Sequence, residues 1–336
     1  MSTLKLDLEN YKELLQEYIR TQDEQALYQA EQFSKQSLQQ NISPDEIINV
    51  HIQSLEEIYP DMPEDIQVSL NFLLETMISY GLAYQEYQSL REKQLELKSE
   101  LSVAANMQDT LLSTEKPELE EVEIGAVSFP ARQMNGDYHH FVQDKEGSLG
   151  VSIADVIGKG VPAALCMSMI KYSMESFPET RMDPGVILGS LNRVVEQNVD
   201  SSMFVTMFYG LYNLNEHTFY YASAGHEPGY FYHKATDSFE EIDASGLVLG
   251  VSSETTYHEF QRKIEIGDMI ILLTDGVTEC RQGDRFIEPD EVLHIVKKFT
   301  HLPAQEIVEQ VYKHFERLQD FQLRDDFTLI ILRRNV

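Results

Sequence analysis

The sequence predicts an α+β protein with an N-terminal helical bundle, a helical coiled-coil linker and a C-terminal domain of two antiparallel sheets flanked by helices. Three observations carry this reading. Up to about residue 80 the apolar side chains follow helical spacing, with almost no glycine. From about residue 83 to 112 they fall on a heptad seam. From Val122 onward short apolar strands follow one another, often joined by turns too short for a crossover helix, which argues against a doubly wound sheet. The expected units are a helical partner-binding or dimerisation domain at residues 1–82, the linker at 83–116 and the sheet domain at 117–336.

In the first unit, Leu8, Tyr11, Leu14, Leu15, Tyr18 and Ile19 mark a helix. Thr21 with Glu24 forms a capping box for a second, and Ser43-Pro44-Asp45-Glu46 combines cap, first-turn proline and N3 glutamate for a third. Pro63 opens a fourth, which does not stop at Tyr80. Leu90, Leu97, Ala104 and Leu111 form one heptad series and Tyr87, Gln94, Leu101 and Gln108 the other. Glutamine at two such positions weakens a seam but can fix its register. The alternative is a single amphipathic helix lying against one of the domains. Lys116-Pro117 is expected to end it.

Strands are expected at Val122–Ser128, His139–Val142, Leu149–Ile153, Phe204–Tyr212, His217–Ala222, Tyr230–His233, Met269–Leu273 and Phe327–Leu332. Helices are expected at 162–177, 185–198, 289–299 and 304–319. The first of these would turn Leu165, Met169, Tyr172 and Phe177 toward a sheet.

Fifty-six acidic against 26 basic side chains give a net charge of −30 over 336 residues, a field that repels nucleic acid and anionic membrane. The only cysteines, Cys166 and Cys280, form no disulfide framework, and no run approaches a membrane span. A cytoplasmic protein is expected.

The chemistry lies in aspartates at strand ends. Strand Leu149–Ile153 runs into Asp155, Asp137 precedes His139–Val142, Asp275 follows Met269–Leu273, and Asp326 opens Phe327–Leu332. Such a carboxylate is costly unless water, a cation or hydrogen bonds receive it. If Asp137, Asp155, Asp275 and Asp326 converge without metal, each close pair costs on the order of 4 kcal/mol at about 4 Å and an effective dielectric near 20. Protonation relieves this, as does Mg²⁺ or Mn²⁺, and carboxylate plus water ligation favours those ions over zinc. Two such ions can activate a water and clamp a phosphoryl group. Each aspartate alone is a weak signal, because Asp-Gly and Gly-Asp are usually turns; the combination carries the weight.

Gly136-Asp137-Tyr138, Ala154-Asp155-Val156-Ile157-Gly158-Lys159-Gly160, Ala224-Gly225-His226-Glu227-Pro228, Thr274-Asp275-Gly276-Val277-Thr278-Glu279 and Arg324-Asp325-Asp326-Phe327-Thr328 occur in one order. Together they resemble the motifs of the SpoIIE-type branch of the metal-dependent serine/threonine phosphatases, the PPM or protein phosphatase 2C-like family. The resemblance implies an αββα sandwich holding two Mn²⁺ or Mg²⁺ ions. It implies that Asp155 bridges both ions with help from the Val156 carbonyl, that Asp275 and Asp326 complete a metal shell, and that Asp137 ligates directly or through water. It also implies a phosphoserine substrate, a phosphorylated anti-anti-sigma factor, in a general stress response. The activator would be a kinase-like switch protein acting on the N-terminal domain of a homodimer. The alternative is a catalytically inactive sensor or scaffold for the same partners, which would have no need of the acidic residues.

The chain departs from the family at Ile157, where eukaryotic members carry a histidine, and at Asn135 and His140 around the first motif. His226 can shape a loop or serve catalysis, and Lys159 can meet a phosphate or be a solvated loop charge. Gly246 and Gly250 read as turn glycines and Cys280 as incidental. His139-His140 is no zinc pair, since adjacent strand residues face opposite ways.

Overall fold

The computed structural model describes residues 8–40, 42–144, 147–158, 160–177, 183–200, 203–242, 244–282, 285–321 and 323–336. Lys159 lies outside the described residues. The chain divides into two compact units, Met1–Ser99 and Glu100–Val336.

The first unit contains α1 (Leu8–Thr21), α2 (Glu24–Gln39), α3 (Pro44–Ile58) and the start of α4 (Glu64–Leu112). Ala26, Val50 and Ile52 are buried in the bundle. The Tyr11 ring lies 5.2 Å from Phe33, and its hydroxyl is 2.9 Å from His51 Nδ1. The capping box expected at Thr21 and Glu24 does not form. Thr21 is still helical and donates its hydroxyl back to the Glu17 carbonyl, while Asp23 takes the cap by accepting the Gln25 amide at 3.1 Å. Ser43 does precede α3, with Pro44 in the first turn, but its side chain makes no cap bond.

Helix α4 is 49 residues long, so the fourth helix and the linker are one element. It ends at Leu112, ahead of Lys116-Pro117. Leu90 and Leu97 are exposed along it, whereas Gln108, expected in the same seam, is only 4% exposed and buried within the second unit. There the ammonium of Lys171 donates to the carbonyls of Leu111 (2.6 Å) and Ser113 (3.1 Å), satisfying acceptors that the helix end leaves open.

The second unit continues through β1 (Val122–Phe129), β2 (Asp137–Gln143), β3 (Ser148–Val156), α5 (Val161–Glu175) and α6 (Pro184–Asn198). Next come β4 (Val205–Asn213), β5 (Thr218–Ala224), β6 (Gly229–His233), β7 (Ser238–Ile242), β8 (Phe260–Lys263) and β9 (Met269–Leu273). It closes with α7 (Asp275–Thr278), the two-residue strands β10 (Arg281–Gln282) and β11 (Arg285–Phe286), α8 (Pro289–Phe299), α9 (Ala304–Leu318) and β12 (Phe327–Arg334).

Among the described residues there are two five-stranded sheets, ordered β1-β12-β9-β6-β7 and β2-β3-β4-β5-β8, with antiparallel neighbours throughout. They stack through Val151, Ile153, Phe208, Phe231, Ile270 and Ile330. Helices α8 and α9 cover the outer face of the first sheet, and α5 and α6 that of the second. The result is the αββα sandwich. Strand β3 is buried along almost its whole length because a sheet covers one side and helices the other.

Helix α5 presents a different face from the expected one. Met169 and Phe177 reach the core edge, but Leu165 and Tyr172 are 66% and 52% exposed. The buried stripe is Ala163, Cys166, Met167, Ile170 and Met174, whose smaller members let the helix approach the sheet. Both stripes have helical spacing, so periodicity alone cannot choose between them. The edge strands β7 and β8 were not expected. Their Ser-Phe-Glu-Glu-Ile and Phe-Gln-Arg-Lys sequences are polar, as suits sheet edges.

Candidate active site

The antiparallel register of β2 and β3 sets Asp137 directly opposite Asp155, which places two carboxylates side by side on one face. Both residues belong to strands rather than to the loops beside them. The other sheet contributes from the ends of β9 and β12. There the Thr274 amide donates to the Thr328 carbonyl (3.1 Å) and the Thr328 amide to Thr274 Oγ1 (3.2 Å). This pairing brings the turn at Asp275-Gly276 onto Asp326. A Cβ at Gly276 would lie 1.9 Å from the Asp326 carbonyl oxygen, so only glycine fits this close approach.

Asp326 is oriented by backbone donors. Its Oδ1 accepts the Ala131 amide at 2.7 Å, and its Oδ2 accepts the Gly136 amide. A Cβ placed on Gly136 would sit 2.9 Å from Asp326 Oδ2 and 3.5 Å from Asp155 Oδ1. The two carboxylates therefore flank one glycine from opposite sheets. Asp155, Asp275 and Asp326 line a cleft of about 630 Å³, joined by Val156, Ile157 and Asp325.

Asp137 is placed differently. It is 3% exposed and turned behind the cleft, where Thr274 donates to its Oδ2 at 2.6 Å and Thr328 adds a second hydrogen bond. Burial holds its carboxyl well above the ordinary range. The Asp155 and Asp326 charges push the same way, against the two threonines. Asp275 is raised to about 6, first by burial and then by Asp325, Glu279 and Glu227. Among the described lining residues the basic ones are Arg132 and Arg324, both exposed.

The donors are hard oxygens, the chemistry that Mg²⁺ and Mn²⁺ prefer. The raised carboxyls of Asp137 and Asp275 reflect burial first and neighbouring carboxylates second, and a divalent cation would offset both. The fit is one of donor chemistry and placement: among the described residues no three His, Cys, Asp or Glu side chains are already gathered so as to hold a metal ion.

Of the other expected residues that the structure describes, Ile157 lines the cleft, while His226 and His140 lie off it. His226 is buried, with Nδ1 3.0 Å from Thr206 Oγ1 and its amide on Ser223 Oγ. Burial lowers its pKa to about 4, so it is neutral and braces its loop. Thr206 lies opposite Asp155 on β4, which puts that brace one strand away from the site. His140 is buried against Thr114, 3.0 Å from its hydroxyl. Sequence reasoning missed Thr274 and Thr328 as the groups holding Asp137, although both stand inside quoted motifs. It also missed Gln108, whose only signal was a polar residue at an otherwise apolar heptad position.

Residues 145–335 match the family model described as Stage II sporulation protein E (SpoIIE), and residues 9–83 match that of the phosphoserine phosphatase RsbU N-terminal domain. The chain is 54% identical over 328 residues to phosphoserine phosphatase RsbU of Bacillus subtilis (strain 168), covering 98% of each protein. Among solved structures it is similar to the SiaA-PP2C domain of Pseudomonas aeruginosa, with a TM-score of 0.62 and 18% identity over 72% of this chain and 99% of that one. It is also similar to RsbX, solved in complex with magnesium, with a TM-score of 0.51 and 17% identity over 66% and 99% of the respective chains.

Proposed function

The chain belongs to the RsbU-like serine phosphatases of the SpoIIE and PP2C family, and from that premise we propose that it dephosphorylates a phosphoserine anti-anti-sigma factor. In doing so it would switch on a general stress response in the cytoplasm. The observation that carries the site assignment is the placement of Asp155, Asp275 and Asp326, from two different sheets, on one cleft.

In this reading Asp155, Asp275 and Asp326, the Val156 carbonyl and, from behind, Asp137 hold two Mn²⁺ or Mg²⁺ ions. When bound, such ions activate water and neutralise phosphoryl charge. The protein's own groups do the rest. Gly136 and Ala131 amides aim Asp326, and Thr274 and Thr328 hold Asp137. Arg132 and Arg324 supply the positive charge at the rim that draws a phosphoserine into an acidic cleft. The N-terminal unit receives a kinase-like switch protein, and the exposed Leu90 and Leu97 pair with a second copy as a coiled coil. Partner binding, by tightening that coil, shifts the catalytic unit toward its active arrangement.

The test is phosphate release from a phosphorylated anti-anti-sigma protein, with and without Mn²⁺, for the wild type and Asp155→Asn. Metal-dependent release that Asp155→Asn abolishes is expected. Equal release by both proteins would remove the site assignment.

A further inference from the structure

Gln108 is an anomaly in its own helix, a buried amide among residues spaced for apolar pairing. Its side chain behaves as a short piece of backbone. Oε1 accepts the Asn135 amide at 3.0 Å, and Nε2 donates to the Asn135 carbonyl at 2.8 Å. That carbonyl belongs to the peptide unit whose other end is the Gly136 N–H, the group that orients Asp326. A peptide is planar, with its C=O and N–H pointing oppositely, so holding the oxygen holds the hydrogen. The peptide before a glycine is the one in this turn most free to rotate, because glycine tolerates the dihedral angles a flip would require. On the oxygen side the Gln108 amide is the group that opposes such a flip.

Asn135 carries the same constraint to the second aspartate. Its Oδ1 accepts the Asp137 amide at 3.0 Å, and its Nδ2 donates to Ser128 Oγ at 2.9 Å. Ser128 in turn lies 2.9 Å from Thr328 Oγ1, one of the two hydroxyls on the Asp137 carboxylate.

We propose that Gln108 is a positioning residue of the phosphatase site: by pinning the Asn135–Gly136 peptide it fixes the direction of the amide that aims Asp326 and the setting of Asp137. The last turns of α4 thus form part of the site's scaffold. The inference rests on the assignment of those aspartates to metal binding.

The experiment uses the full chain and two variants. Gln108→Leu keeps size and helix propensity but removes both hydrogen bonds. Gln108→Met keeps the length of the side chain and likewise supplies neither the acceptor for the Asn135 amide nor the donor to its carbonyl. Hydrogen exchange of the Gly136 amide in metal-free protein, and the Mn²⁺ concentration for half-maximal phosphate release, are measured for both. In both variants Gly136 exchange should rise about tenfold, with β3 and β9 unchanged. The half-saturating Mn²⁺ should also rise about tenfold, equal to roughly 1.4 kcal/mol. Wild-type exchange at Gly136 in either variant, or a uniform rise across all strands, overturns the proposal. If Gln108→Leu does not fold, Gln108→Met decides alone. Retained activity in Asp155→Asn would instead remove the site assignment, while Gly136 exchange would still judge the role of Gln108.

Discussion

Asp275→Asn should make the metal-free protein more stable at neutral pH while abolishing its phosphatase activity. The Asp275 carboxyl sits at about 6 against an ordinary value of 3.8, first through burial and then through Asp325, Glu279 and Glu227. Between those two values the folded chain binds a proton that the unfolded chain has already released. Stability from this group is therefore complete below about pH 4 and is lost as pH rises through about 6. A shift of roughly two units corresponds to at most about 3 kcal/mol, and partial solvent screening leaves about 1–2 kcal/mol. For a unit of this size that amounts to about 3–6 °C in melting temperature. Calorimetry of the chelator-treated chain from pH 4 to 8 reads the difference directly. The variant should melt above the wild type at pH 7.5, and the two should converge near pH 4. A variant melting at or below the wild type at pH 7.5 would show that the acidic residues around Asp275 do not strain the metal-free fold.

Thr274→Val, nearly isosteric, strips Asp137 of a donor and the Thr328 amide of an acceptor, both in buried surroundings. It should lower stability in urea by about 1–3 kcal/mol, with Thr274→Ser recovering most of the loss. Arg324→Ala removes one of the two basic side chains among the described residues that line the cleft. It should raise KM for a phosphoprotein at least about tenfold, comparable to losing a charge-assisted hydrogen bond, without moving the melting temperature.

The parts of the fold legible in the sequence were those in which one face is forced. Strand β3 announces itself because burial on both sides leaves only apolar or small residues from Leu149 to Ala154, and Pro44 and Pro63 mark helix starts because proline suits few other places. Helix α5 was misread because it is apolar on more than one face, and only the sheet selects the stripe that includes Ala163 and Cys166. The aspartates could be found as a recurring strand-end pattern. Their supporting hydroxyls could not, since Thr274 and Thr328 resemble any β-branched strand residue until the two strands pair. Gln108 was visible as a misfit but was assigned to the wrong contact. Heptad position reports which face a residue occupies, and says nothing about whether a loop from a distant part of the chain, here Asn135, has claimed it.

The hydrogen bond from Thr274 to Asp137 joins strands of opposite leaves of the sandwich. Elsewhere those leaves meet through Phe208, Phe231, Ile270 and Ile330 and through polar links from Arg262 to Glu240 and from Arg334 to the Ile264 carbonyl; the apolar part tolerates small sliding because it has no preferred direction. A hydroxyl-to-carboxylate bond does not, since it weakens steeply with angle. Shear between the leaves is consequently resisted at the acidic end, where a shift would change the spacing between the aspartates that the two leaves carry.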